Sequence, residues 1–156
     1  MATVEIYPFC EAGAAGAYPD WIRALRKRSG AYLIHEHGAR HISYIGESST
    51  NRLYSTLTRH FQQWTNKYNT AGATYDRADV EVAVIVVPAE HANFLQNELT
   101  CTLGPTDNRA GCEQIFNPDQ PETYQPPPGY AYDIDQLLEA VAYQWPDDDE
   151  AEELPF

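Results

Sequence analysis

A chain of 156 residues, 43% of them hydrophobic, can bury one core without disulfide or metal staples and is too short for several domains. No stretch approaches the length of a membrane span, and no basic region leads into an apolar run at the N-terminus, so a cytoplasmic protein without membrane attachment is expected. A formal net charge of −13 argues against a uniformly phosphate-binding surface, which needs basic side chains to release counterions.

The charge is unevenly placed. All ten Lys and Arg fall between residues 20 and 110, against nine Asp and Glu, whereas residues 111–156 hold twelve acids and no base. A nearly neutral core with an acidic appendage is still compatible with nucleic acid. Cys10, Cys101 and Cys112 are odd in number and include no closely spaced pair, so reduced, partly buried thiols are expected rather than a disulfide framework or a zinc site.

Residues 1–28 read as an N-terminal arm and a short helix. Ala12–Ala17 is rich in Gly and Ala without periodicity, so the arm is expected to be mostly irregular. Pro19-Asp20 is a helix start, with Trp21, Ile22 and Leu25 on one side. The cluster Arg26-Lys27-Arg28 follows, either a solvated charged end or an edge that contacts phosphates.

Gly30-Ala31-Tyr32-Leu33-Ile34 and His41-Ile42-Ser43-Tyr44-Ile45 are β-forming runs around a polar stretch centred on Gly38, which predicts a hairpin with Tyr32 and Ile34 on one face and Ala31 and Leu33 on the other. Two histidines at its turn, His35 and His37, share a strand face but lack further ligands, so a solvated turn is the reading. After Gly46 the period changes. Leu53, Leu57, Phe61 and Trp64 form a helical stripe, preceded by candidate caps Ser48 to Asn51. Arg52 and Arg59, seven apart, share a helix face to within about 20°, and His60 lies about 80° from Arg52 at the border of the stripe.

Residues 65–79 are polar and turn-rich. Val80–Val87 is almost continuously apolar, as in a strand covered on both faces at the centre of a sheet. Pro88 stops it and suits the first turn of a helix whose core stripe is Ala92, Leu95, Leu99 and Leu103. Glu98 lies off that stripe by about 120° and from spacing alone is an ordinary exposed glutamate. A Pro-rich connector leads to a third helix, capped by Asp133 and carrying Ile134, Leu137, Leu138, Val141, Ala142 and Trp145 on one side until Pro146. The last residues are an acidic run, Asp147 to Glu153, ending in Leu154-Pro155-Phe156.

Gly30-Ala31-Tyr32, then Tyr44-Ile45-Gly46, then Arg and His on the next helix, resembles the GIY-YIG nuclease superfamily, with Glu98 and Asn108 continuing the order over roughly residues 29–110. Ala31 departs from the family's Ile. Arg52 is closer to Gly46 than usual, and Thr56 stands where relatives often carry His or Tyr. The resemblance implies an α+β fold with a three-stranded antiparallel sheet flanked by helices, divided as arm 1–28, nuclease core 29–112, connector and packing helix 113–145, and tail 146–156.

The activity it implies is metal-dependent hydrolysis of DNA phosphodiester bonds. Tyr32 and Tyr44 would position or deprotonate water, and Gly46 would allow close approach of the phosphate. Arg52, or Arg59 in its place, would hold the phosphate, His60 would move protons or bind phosphate, and Asn108 would order the site. Glu98, with Glu90 as a lesser alternative, would bind one Mg²⁺ or Mn²⁺. Arg26, Lys27, Arg28 and Arg59 are the candidate DNA contacts. The Leu154-Pro155-Phe156 end is similar to the C-terminal tip of bacterial single-stranded DNA-binding proteins, which implies a binding partner that reads that tip, or a tail that folds back over Arg26–Arg28 and competes with DNA. A second reading keeps the fold without catalysis, as a binding or inhibitory module mimicking that tip. A third keeps the chemistry and changes the substrate to RNA or branched DNA.

Overall fold

The computed structural model describes residues 4–62, 64–65, 70–71, 74–108 and 126–145. In chain order these form β1 (Glu5–Glu11), α1 (Asp20–Arg23), β2 (Gly30–Glu36), β3 (Tyr44–Ser48) and α2 (Leu53–Thr58), which a single 3₁₀ turn (Arg59–Phe61) extends. The two-residue strands β4 (Trp64–Thr65) and β5 (Thr70–Ala71) pair separately, and a 3₁₀ turn (Arg77–Asp79) leads into β6 (Val80–Val86), α3 (Ala89–Leu103) and α4 (Ile134–Ala140).

The fold is α+β, as expected, but its main antiparallel sheet has four strands in the order β1-β6-β2-β3. The fourth is the arm expected to be irregular. β1 pairs along β6 with a shift in register between Tyr7 and Cys10, so the N-terminal residues belong to the core sheet. β6 lies between β1 and β2 and is buried at six of its seven positions, as its unbroken apolar run requires. Gly30 is needed where β2 passes β6, because a Cβ there would overlap the Ile85 carbonyl and lie 2.9 Å from Val86 Cα.

Alternation in β2 separates two cores. Ala31 and Leu33 join Ile45, Ala83 and Ile85 beneath α3 and α4, while Tyr32 and Ile34 join Val82, Val84, Leu53 and Leu57 on the other face, with Ile22 and Leu25. The stripe Ala92, Leu95, Leu99 and Leu103 is buried throughout. Asp133 caps α4 by accepting from the Asp135 and Gln136 amides. That helix stops at Ala140, earlier than the stripe suggested, because Ala142 turns to a φ of 64° and the Tyr143 amide donates back to the Leu138 carbonyl. Trp145 is therefore exposed rather than packed. α2 is likewise shorter than its stripe. The Ser48 hydroxyl, from the expected cap region, accepts from the Arg52 amide.

The first loop is held by a residue that sequence periodicity does not mark. The Arg77 guanidinium donates to the carbonyls of Ala12, Gly13 and Gly16 and stacks 4.0 Å over the Tyr18 ring. The thiol expectation needs correction at two positions: Cys10 is free but exposed, because it sits on an edge strand, and Cys101 is disulfide-bonded. Among the described residues no helix is long and apolar enough to cross a membrane.

Candidate active site

The hairpin register sets Tyr32 opposite Gly46 and Ile34 opposite Tyr44, so both tyrosines rise on the same face of neighbouring strands. Their rings stack with centroids 6.1 Å apart. Gly46 is required for a reason other than approach of a substrate: a Cβ there would overlap the end of the Tyr32 ring and lie 2.8 Å from Tyr44 Cε1. Tyr32 thus lies across Gly46 and is 1% exposed, leaving Tyr44 as the more accessible phenol.

The 3₁₀ turn after α2 delivers the third group. His60 Nε2 is 2.8 Å from the Tyr32 hydroxyl, and its ring centroid is 4.6 Å from that of Tyr44. The Tyr32 and Tyr44 hydroxyls act on one another, so Tyr44, Tyr32 and His60 form one cluster in which the Tyr32 hydroxyl contacts His60 Nε2. Burial pushes Tyr32 up, reinforced by the charges of Tyr44 and Glu47 and opposed by Arg59. Tyr44 is raised by burial too, and the Tyr32 hydroxyl beside it works against that rise. His60 is held below the ordinary histidine range by burial and by the Arg59 charge, so it is neutral at pH 7.

A cleft of about 280 Å³ is lined by Tyr32, Tyr44, Thr56, Arg59, His60 and Thr74. It meets a second space of about 500 Å³ that shares Tyr44, His60 and Thr74 and adds Tyr75, Gln96, Asp107 and Asn108. Asn108 is fixed by pairing both ends of its amide with Ile45, its Oδ1 accepting from the backbone N–H at 2.9 Å and its Nδ2 donating to the carbonyl at 2.8 Å. Together with the amides of Thr106 and Asp107, which donate to Ile42 and Ser43 carbonyls, it extends the free edge of β3 beside Tyr44.

Of the expected site residues, Tyr32, Tyr44, His60, Arg59 and Asn108 converge on this groove. Arg52 does not: it is exposed at the N-cap of α2 and lines neither space. Arg59 occupies the cleft because the helix tightens to 3₁₀ geometry there. The expected ion ligand also lies elsewhere. Glu98 is about 200° around α3 from Gln96, whose amide reaches the Ile45 carbonyl. Burial raises its carboxyl, and the nearby Tyr130 hydroxyl works against that rise. The carboxylate whose charge acts on Tyr32 and Tyr44 is Glu47, itself raised by burial despite hydrogen bonds with Asn93 and Ser49. A divalent ion held by Glu98 therefore does not fit the tyrosine groove. Glu90 does not line it either.

In the basic cluster, Lys27 and Arg28 line one depression and Arg26 points elsewhere. Arg26 lies 4.7 Å from the Tyr54 ring centroid, Arg28 pairs with Glu5 at 3.0 Å, and Lys27 borders a depression with Ser29, Asn51 and Pro88. His35 and His37 bond Glu81 and Glu11 respectively, and no group of three or more metal-ligating side chains occurs among the described residues. Leu154, Pro155, Phe156, Arg109, Cys112 and most of the Pro-rich connector lie outside the described residues.

Tyr75 and Asp107 were not anticipated from sequence. Tyr75 donates its amide to the His60 carbonyl at 2.9 Å and its hydroxyl to Asp107 at 2.6 Å, tying the His60 turn to the segment on the β3 edge. An aromatic in a polar, turn-rich stretch was the available signal. Compared with protein-family models, curated proteins and solved structures, the chain matches none.

Proposed function

We propose that this chain is a GIY-YIG-type endonuclease that hydrolyses phosphodiester bonds in DNA. The observation that carries the reading is the cluster of Tyr44 and Tyr32 around a neutral His60, with the Tyr32 hydroxyl on His60 Nε2, opening beside the Arg59 guanidinium. Phenols with raised pKa values are poor bases but competent relays. A water attacking phosphorus beside Tyr44 gives up its proton by way of the tyrosine hydroxyls to His60 Nε2, so both phenols stay neutral and the imidazole takes the charge. The bond from phosphorus to the leaving sugar oxygen breaks, and that oxygen takes a proton from solvent. Arg59, a planar cation that cannot lose its proton, faces the charge that accumulates on the phosphoryl oxygens.

Mg²⁺ or Mn²⁺ belongs to this reading as the family's cofactor and would polarise the phosphate. Because Glu98 lies off the groove, the steps above rest on the chain's own tyrosines, histidine and arginine. The second reading, a binding module without catalysis, is favoured by one observation: Arg52 and Glu98, to which the resemblance gives phosphate and ion, both lie outside the groove. The acidic tail would recruit partners through Leu154–Phe156 or restrain DNA access through Asp147–Glu153, and deletion of each segment separates the two.

The test is cleavage of labelled single-stranded, duplex and branched DNA, and of RNA, with Mg²⁺, Mn²⁺ or a chelator. Cutting that falls about 10²–10³-fold in Arg59→Ala but survives in Arg52→Ala and Glu98→Ala is the expected result. No cutting of any substrate, with the tail intact or removed, would leave the binding-module reading in its place.

A further inference from the structure

The groove beside Tyr44 is longer than a phosphate requires, and its two ends differ in character. Arg59 lines the cleft of about 280 Å³. Among the described residues, the adjoining space of about 500 Å³ is lined by no Lys or Arg and carries the Asp107 carboxylate instead. A phosphodiester is attracted to the first end and repelled from the second.

The second end is built for a flat, uncharged group. Its wall is a run of mutually tilted rings, with Tyr44 and His60 centroids 4.6 Å apart at 55° and His60 and Tyr75 centroids 5.9 Å apart at 44°, so a flat group stacks on one ring face at a time. The same space is lined by the Gln96 side-chain amide, which keeps its oxygen and second N–H beyond the bond to the Ile45 carbonyl, and by Asp107. The Tyr75 hydroxyl holds Asp107 in place, and a carboxylate that accepts one such bond retains sites for others. Aromatic faces combined with an acceptor edge suit a nucleobase that carries an exocyclic amine.

Resting on the nuclease reading, we propose that the Tyr75 end of the groove holds one unstacked nucleobase of the strand whose phosphate lies at Arg59. The substrate is then a single strand, or a nucleotide turned out of a duplex, because a base stacked within a helix cannot enter. Asp107 favours bases that donate from an exocyclic amine, cytosine over thymine.

Equilibrium binding by fluorescence anisotropy tests this with the intact protein in chelator at low salt. The probes are oligo-dC, oligo-dT, the corresponding oligo-C, a blunt duplex and an abasic strand with the same number of phosphates. Oligo-dC is expected to bind about tenfold more tightly than the abasic strand and more tightly than oligo-dT or duplex. Asp107→Ala removes the preference for dC over dT, and Gln96→Ala, at a half-buried position, weakens base-bearing strands alone. Comparison of oligo-dC with oligo-C identifies DNA or RNA as the source of the base. Equal affinity for abasic and base-bearing strands overturns the base site and leaves the nuclease reading standing. Absence of binding to every probe overturns both.

Discussion

Two histidine–tyrosine clusters lie on opposite faces of the same sheet, and they differ in what is left over after the hydrogen bonds are made. Beneath α3, His91 is 2% exposed and has both ring nitrogens engaged, Nδ1 with the Tyr132 hydroxyl at 2.6 Å and Nε2 with the Pro128 carbonyl at 2.8 Å. A carbonyl only accepts, so Nε2 carries the proton, Nδ1 accepts from Tyr132, and the ring has no further capacity. Tyr130 packs against this ring and against Phe94, so the cluster fastens residues 126–145 to α3. His60 has one nitrogen on Tyr32, a partly buried ring, and an arginine next to it at the mouth of a groove. A saturated imidazole is a fastener, and one with spare capacity beside a cation can move a proton.

Breaking the fastener has the largest expected effect on stability. His91→Ala leaves the Tyr132 hydroxyl and Pro128 carbonyl without their partner and opens a cavity, so it is expected to cost about 2–4 kcal/mol in chemical denaturation. A cost near zero would mean that this cluster is not a fastener. Gly46→Ala sharpens the other side of the comparison. Its Cβ would displace a fully buried Tyr32, so a loss of about 1–3 kcal/mol is expected together with a loss of cleavage.

The smallest effect is on pH dependence. His60 is depressed by burial and Arg59, so the unfolded chain binds the proton more readily than the folded one. Its contribution to stability is present above the ordinary histidine pKa of about 6.5 and is lost as pH falls through the lower folded value. Replacing His60 by Asn should flatten the stability profile across that window. Cleavage by the intact protein should show an acidic limb below the usual histidine range. An acidic limb unchanged in the variant would assign it to another group.

Much of this was legible in the sequence because it depends on periodicity. The alternation in β2 fixed which residues faces each core, the apolar run of β6 fixed the centre of the sheet, and Ala92, Leu95, Leu99 and Leu103 fixed the buried side of α3. β1 was not legible, because its strand character comes from pairing with β6 while the Gly/Ala-rich loop beyond it reads as irregular. The exchange of Arg52 for Arg59 depends on a switch from α to 3₁₀ geometry, which turns side chains by an amount that a uniform 100° per residue misses. The displacement of Glu98 from the groove depends on which flank of α3 faces β3, which the core stripe alone leaves open. His91 sits at the border of that stripe, and only the arrival of Tyr130 and Tyr132 from a distant segment gives it a role.

The most direct test of the account is the single-turnover rate of DNA cleavage by Tyr44→Phe, which keeps the ring and removes the hydroxyl beside the attacking water. The account predicts a fall of about 10²–10⁴-fold at neutral pH with little change in melting temperature. A variant that cuts at the rate of the intact protein would contradict it, and the hydroxyls of Tyr44 and Tyr32 would then be packing groups like those around His91.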